Sequence, residues 1–199
     1  MRVLKKLPTI LKQEVENKQK YFSHFNIYFQ DESRFGLFTR NGRGLTIKGV
    51  KPICRYQYKF QNTYLFGAFS PVNGNSFMLD LPYCNSSTFQ IFINEFSIET
   101  PDELKIIFLD NGAFHKAKRL KIPDNICLIF LPAYSPELNG AEKVWWVLKR
   151  EISGLVFNTL SKLQKELELI IKKKINKNNI KSLTSYDLFL SAYRTINNV

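Results

Sequence analysis

The chain has 199 residues, of which 44% are apolar and 14% aromatic, a composition that supports a globular core and excludes an intrinsically disordered chain. Its formal net charge is +12, with 29 basic against 17 acidic side chains. An excess of this size favours an anionic partner, with nucleic acid first and an anionic membrane surface second.

The N-terminal third predicts a basic segment followed by strands. Residues 1–20 predict a basic helical arm or the tail of a linker, with Pro8 as a helix breaker. The next stretch, HFNIYFQDESRFGLF, alternates apolar and polar residues and predicts a strand that ends at Asp31. After an Asn-Gly turn, LTIKGVKPICRYQY predicts a second strand, and NTYLFGAFSPVNGNSFML a third, which can also fold as a hairpin.

The middle of the chain predicts strands that alternate with helices. A helix over NSSTFQIFINEFSIET is expected, capped by Ser86 or Ser87. LKIIFLDNG and NICLIFLP are short apolar runs typical of buried strands, and AFHKAKRL between them predicts a short helix. Together these elements predict an α/β fold in which helices flank a mixed sheet.

The last third predicts helices. LSKLQKELELIIKKKINK has an apolar stripe and ends in a lysine cluster, which is either a solvated face or a contact to the DNA backbone. We expect three parts: an arm or linker remnant (1–20), a core (21–155) and a C-terminal helical extension packed on that core (156–199).

Two acids stand at the predicted ends of core strands. Asp31 shares a face with Phe25, Ile27 and Phe29, and Asp110 ends the first buried run, on the face of Ile106 and Phe108. The carboxyl ends of strands in an open α/β sheet border the crevice where ligands bind. Since two close carboxylates repel each other unless a cation lies between them, the pair suggests a site for a hard divalent ion such as Mg²⁺.

Glu142 has two interpretations. If Asn139 caps the following helix, Glu142 occupies the third helical position and forms a capping box. Alternatively, it is a third ligand of the metal site. Glu137 fits a first-turn acid of a helix that Ser135 caps. Of the adjacent tryptophans that follow, one is expected in the core and the other partly exposed.

Three segments in this order, FQDESRFGL, FLDNGAFHKA and LPAYSPELNGAEKVWWVLK, resemble the DDE transposases of the mariner superfamily, and most closely its bacterial insertion-sequence branch. The resemblance covers roughly residues 20–195. It implies a ribonuclease H-like fold, with a mixed five-stranded sheet flanked by helices. It also implies that Asp31, Asp110 and Glu142 are the catalytic triad and hold two Mg²⁺ ions, which Mn²⁺ can replace. Gly140 departs from the family, which usually has Pro there.

The resemblance implies metal-dependent DNA strand cleavage and strand transfer, without a covalent enzyme intermediate. Its partners would be double-stranded DNA, as element ends and target, and a second copy of the chain in synapsis. The candidate DNA contacts, each alternatively a solvated charge or a satisfied turn histidine, are Arg34, Arg40, Arg43, Lys48, Lys51, His115, Lys149 and Arg150. His115 could instead orient Asp110.

Only some 20 residues precede the first predicted strand, too few for the helix-turn-helix modules that the family carries. We therefore expect the catalytic half of a split or truncated transposase, with a separate helix-turn-helix subunit as partner. Two alternatives stay open: a catalytically idle remnant that binds DNA and regulates, and a ribonuclease H-like nuclease that cuts RNA–DNA hybrids.

The cysteines and the hydropathy predict the compartment. Three Cys without a CxxC pair, and two His, disfavour zinc modules and a disulfide framework. The longest apolar run, ICLIFL, is too short to span a bilayer. We expect a cytoplasmic, nucleoid-associated protein without a membrane partner.

Overall fold

The computed structural model describes residues 7–18, 21–38, 46–51 and 56–197. The strands of its sheet are β1 His24–Gly36, β2 Asn62–Phe69, β3 Ser76–Leu81, β4 Glu103–Leu109 and β5 Ile126–Phe130. Their order in the sheet is β3-β2-β1-β4-β5. β1 pairs antiparallel with β2 and parallel with β4. On the outer sides, β2 pairs antiparallel with β3, and β4 pairs parallel with β5. The predicted mixed five-stranded sheet is therefore confirmed.

Helices cover both faces of this sheet. They are α1 Leu7–Lys18, α2 Ser86–Glu99, α3 Ala141–Glu151, α4 Leu160–Lys174, α5 Lys177–Thr184 and α6 Asp187–Asn197, with 3-10 turns at Ala113–Lys116 and Pro136–Leu138. On one face, α2 buries Phe89, Phe92 and Phe96 against Tyr28 and Ile107. On the other face, α1 and α3 to α6 bury a larger apolar cluster. No helix among the described residues is long and apolar enough to cross a membrane.

The described part of the N-terminal segment is helical, as in the predicted helical arm, and this helix packs on the core. α1 buries Leu7, Leu11 and Val15 in the core. At its end, the Lys18 ammonium donates to the carbonyl of Ile126 at 3.1 Å. Pro8 does not break the helix, because it lies in the first turn, where N–H groups have no partner within the helix. Residues 7–18 thus form a helix that packs on the core through an apolar stripe, whereas the prediction of an arm was based on the basic residues.

The C-terminal helices share the core of the sheet. In α6, the Phe189 ring lies 4.8 Å, between centroids, from the ring of Phe29 and 4.8 Å from that of Phe108. In α4, Leu163, Leu167 and Ile170 belong to the same apolar cluster. Residues on both sides of position 155 therefore pack together, and a domain boundary there stays a prediction.

Three local predictions are corrected by the structure. In the predicted second strand, residues 46–51 and 56–58 are not strand, and residues 45 and 52–55 lie outside the described part. A turn with Gly49 at φ +89° interrupts its alternation. Asn85 caps α2 in place of a serine, because its Oδ1 accepts from the Ser87 and Thr88 amides at 2.9 and 3.1 Å. The predicted helix AFHKAKRL is a 3-10 turn at Ala113–Lys116.

Candidate active site

The candidate site lies where parallel pairing in the centre of the sheet stops. The last residues that β1 and β4 pair are Phe29 and Phe108. Asp31 and Asp110 each follow two residues later. The predicted strand end at Asp31 is wrong, because β1 continues to Gly36 and Asp31 still pairs with Gly67 of β2. The two acids therefore border a crevice at the carboxyl ends of parallel strands, where α/β sheets bind ligands.

A cavity of about 500 Å³ brings the three predicted acids together. Asp31 comes from β1, Asp110 from the end of β4 and Glu142 from the first turn of α3. Residues 131–136, which follow β5, form the outer wall. Among the described residues, no three His, Cys, Asp or Glu side chains already converge as a formed metal site. The three acids thus line one cavity.

The electrostatics of this cavity favour a bound cation. Burial raises the pKa of Asp31 well above its usual value, and the nearby charges of Glu32, Glu142 and Asp110 raise it further. A divalent cation would remove that repulsion. Carboxylate oxygens are the donors that Mg²⁺ and Mn²⁺ prefer. The side chains present therefore fit a hard divalent ion.

Asp110 is held by a buried histidine. His115 Nδ1 lies 2.9 Å from Asp110 Oδ1, which also accepts from the Gly112 amide at 2.8 Å. The hydrogen bond from His115 lowers the pKa of Asp110. Burial alone would lower the pKa of His115, but its hydrogen bonds to Asp110 and Glu32 outweigh burial and raise that pKa to about 9. Of its two predicted roles, the structure places His115 against Asp110, and its buried ring nitrogens face carboxylates.

Asn139 and Gly140 fix the start of α3 beside β1. The Asn139 side chain donates to the Gln30 carbonyl at 2.8 Å, and its Oδ1 accepts from the Ala141 amide at 3.1 Å. The predicted capping box is absent from this described segment, because the Asn139 amide donates to the Pro136 carbonyl. A Cβ on Gly140 would lie 2.8 Å from the Phe29 ring, so the residue at this departure from the family is closely packed.

Trp145 anchors α3 one turn after Glu142. The Trp145 side chain is buried, and a Cβ added at Gly67 would lie 2.7 Å from its ring. Gly67 is the residue that pairs with Asp31 across β1 and β2. The lack of a side chain at Gly67 therefore brings the helix that carries Glu142 close to the strand that carries Asp31. Trp146 is 59% exposed, as expected for its neighbour.

Removal of the Asn139 side chain is expected to loosen this anchor. For Asn139→Ala, we expect a loss of about 1–3 kcal/mol in the free energy of unfolding, because two hydrogen bonds at a buried site disappear. Mn²⁺ binding should weaken as well, since Glu142 is held less firmly. Urea denaturation and calorimetric titration measure the two effects. The exposed Asn178→Ala is the control, and equal stability of both variants would contradict the prediction.

The predicted DNA contacts fall into separate groups. Arg34 and Lys149 line a second cavity, of about 280 Å³, with exposed aromatic side chains such as Phe38 and Phe60. Arg150 stacks on Trp146, with 4.7 Å from its guanidinium carbon to the ring centroid. The turn residues Lys48 and Lys51 are exposed. Arg40 and Arg43 lie outside the described residues.

Glu32 is a residue beside the site to which the sequence patterns assign no role. Its Oε1 lies 3.0 Å from His115 Nε2, and the Gln30 side chain donates to the same oxygen at 2.7 Å. Glu32 and His115 are 83 positions apart. The available signal was the expected pairing of Asp31 and Asp110 at one metal site, since Glu32 directly follows Asp31 and His115 follows Asp110 by five residues.

A family model described as "DDE superfamily endonuclease" matches residues 26–164, which include all three acids. A protein of Sinorhizobium fredii (strain NBRC 101917 / NGR234), named "Uncharacterized protein y4pE/y4sA", is 40% identical over 87 residues. That alignment covers 43% of this chain and 64% of the relative.

Solved structures of the Mos1 mariner transposase have the same fold. The Mos1 strand transfer complex matches with a TM-score of 0.65 at 14% identity, covering 98% of this chain and 60% of that chain. The Mos1 paired-end complex with Mn matches with a TM-score of 0.62 at 16% identity, covering 98% of this chain and 61% of that chain. The chain thus spans about 60% of the length of these proteins. The fold is that of the ribonuclease H-like transposase core, and the chain belongs to the DDE superfamily of endonucleases.

Proposed function

We propose that this chain is the catalytic domain of an insertion-sequence transposase, which cleaves DNA strands and joins the freed ends to target DNA with divalent metal ions. The observation that carries the proposal is the meeting of Asp31, Asp110 and Glu142 at one cavity within a DDE endonuclease fold. The net charge of +12 supports an anionic polymer as substrate.

In this proposal, Asp31, Asp110 and Glu142 hold the metal ions, and their mutual repulsion in the free protein favours occupancy. When bound, divalent ions would activate a water or a DNA 3′-hydroxyl as the nucleophile and stabilise the leaving oxygen of the phosphodiester. The protein contributes the fixed placement of its carboxylates: His115 restrains Asp110, while Asn139 and Trp145 restrain the helix of Glu142.

The Mos1 structures bear on partners and metals. They include a strand transfer complex, a paired-end complex with the left transposon end, and complexes with Mn and with Mg. By analogy, we propose element ends and target DNA as substrates, synapsis as a homodimer, and two Mg²⁺ ions that Mn²⁺ can replace. The proposal also includes a split or truncated transposase with a separate helix-turn-helix subunit, and a cytoplasmic location at the nucleoid.

Nicking of supercoiled plasmid by the purified chain tests the central claim. We expect nicked circles in Mn²⁺ and Mg²⁺, none in EDTA, and a loss of roughly 10³-fold or more in Asp110→Asn, because a ligand is removed. Glu95→Gln removes an exposed carboxylate on α2 and is the control. Nicking that persists in Asp110→Asn would reject the assigned site.

The same assay separates the alternatives. An RNA–DNA hybrid offered together with duplex DNA should remain intact while the duplex is nicked. Preferential cleavage of the hybrid would identify a ribonuclease H-like nuclease instead. A folded wild-type chain that nicks neither substrate in either metal would favour the idle, DNA-binding remnant.

A further inference from the structure

Glu32 follows Asp31 in sequence but belongs to the opposite face of β1. Its partners, Gln30 and His115, lie on the side of the sheet that α2 covers, where the His115 ring packs 4.5 Å, between centroids, from the ring of Phe89. The side chains of Glu32 and His115 are 8% and 1% exposed. Two ionisable groups are thus buried directly behind the cavity.

The His115 ring bridges two carboxylates. Nδ1 lies 2.9 Å from Asp110 Oδ1, and Nε2 lies 3.0 Å from Glu32 Oε1. Carboxylate oxygens only accept hydrogen bonds, so both ring nitrogens must donate for both contacts to form. The Gln30 side chain donates to Glu32 at 2.7 Å, and the Gly112 amide donates to Asp110 at 2.8 Å. Each end of the bridge is therefore itself held in place.

Packing keeps the ring in this orientation. Besides Phe89, the ring of Phe114 lies 4.0 Å from the His115 ring, between centroids. Asp110, by contrast, has a side chain that is 63% exposed. A half-open carboxylate on a loop would sample several rotamers, and fixing one of them requires a buried partner such as His115.

We propose that Glu32 and His115 are positioning residues that fix one orientation of Asp110 and leave its Oδ2 available to a divalent ion. The inference rests on the proposed function, because it assumes that Asp110 is a metal ligand. Both Asp110 hydrogen bonds among the described residues go to Oδ1, from His115 and Gly112. Glu32 does not line the cavity, so it acts through His115 and not as a ligand.

Imidazole NMR tests the bridge without reference to activity. The chain has only two histidines, so a His24→Asn variant assigns both sets of signals. We expect two slowly exchanging N–H protons from His115 and fast exchange of the Nε2 proton in Glu32→Ala. A wild-type His115 with only one detectable N–H would overturn the bridge.

Mn²⁺ titration by calorimetry tests whether the bridge from Glu32 through His115 to Asp110 strengthens metal binding. Loss of a hydrogen-bond partner behind a metal ligand typically weakens metal binding by about 10–100-fold. We expect an increase of that order in the Mn²⁺ dissociation constant for Glu32→Ala and His115→Ala. His115→Asn, whose amide can still donate to Asp110, should fall between His115→Ala and the wild type. Exposed Glu95→Ala should change little.

The double variant decides whether Glu32 acts through His115. Glu32→Ala/His115→Ala should bind Mn²⁺ no more weakly than His115→Ala alone, because the path from Glu32 is already broken. Additive losses would make Glu32 a direct ligand and overturn the proposal. So would wild-type affinity in folded Glu32→Ala and His115→Ala variants.

The failure of the proposed function gives a different result. A wild-type chain that binds Mn²⁺ but does not nick DNA counts against that function alone, and the variant series still decides the bridge. A wild-type chain that binds no Mn²⁺ contradicts both.

Discussion

Replacement of Asp31 by asparagine is expected to abolish metal-dependent nicking and, without metal, to raise the melting temperature. The Asp31→Asn substitution would remove a ligand, which should cost roughly 10³-fold or more in rate. It would also remove a partly buried charge whose pKa is raised by burial and then by Glu32, Glu142 and Asp110. Plasmid nicking and thermal unfolding in EDTA measure the two effects. Each kcal/mol gained shifts the melting temperature by about 2–4 °C in a chain of this size.

The pH dependence of stability follows from the same shift. Because the pKa of Asp31 is higher in the folded than in the unfolded chain, the folded state binds this proton more tightly. This contribution to stability is present below the usual carboxyl pKa and is lost as the pH rises through the raised value. The melting temperature of wild type should therefore fall relative to that of Asp31→Asn over this window.

A matched control identifies the source of the gain. Asp124→Asn removes an exposed carboxylate that does not line the cavity and should leave both the nicking rate and the melting temperature unchanged. If Asp31→Asn lowers the melting temperature in EDTA at neutral pH, the carboxylates do not repel each other as described.

Truncation of Trp145 is expected to be the most destabilising of the substitutions considered for α3. Trp145→Ala should cost about 3–5 kcal/mol in the free energy of unfolding, as for other large aromatic side chains removed from a core. The ring packs against those of Phe69 and Phe35, with centroids 5.3 and 6.5 Å away, and covers Gly67. Chemical denaturation with urea measures the loss.

Two comparisons isolate packing as the cause. Trp146→Ala, the neighbouring exposed tryptophan, should cost less than about 1 kcal/mol. Trp145→Phe should cost less than Trp145→Ala, because the buried Nε1 has no hydrogen-bond partner among the described residues and only packing is lost. Similar costs for Trp145→Ala and Trp146→Ala would show that α3 is not anchored by Trp145.

Local periodicity explains what could be predicted from the sequence. The two-residue alternation placed Asp31 on the face of Phe29, and an apolar run that ends in an acid placed Asp110 at the end of β4. These signals need only neighbouring residues. They were therefore sufficient to predict the mixed sheet, which the structure confirms. The common cavity of the acids was expected from the resemblance, and their role as a catalytic triad stays a prediction.

The remaining features depend on contacts between distant parts of the chain. The hydrogen bond from Asn139 to the Gln30 carbonyl joins residues 109 positions apart. At the start of α3, Asn139 therefore bonds across to β1, where spacing alone suggested a capping box. In residues 46–51, alternation suggested a strand, but a strand also requires a neighbour with which to pair, and sequence alternation does not supply one.

The packing around Gly140 joins elements that the ribosome synthesises at different times. A Cβ there would lie 2.8 Å from Phe29 and 3.0 Å from Thr184 of α5, so β1, α3 and α5 meet at this point. Synthesis proceeds from the N-terminus, and Thr184 emerges from the ribosome more than 40 residues after Glu142. A nascent chain therefore carries all three acids before the α5 residue that packs at the start of the Glu142 helix has been synthesised.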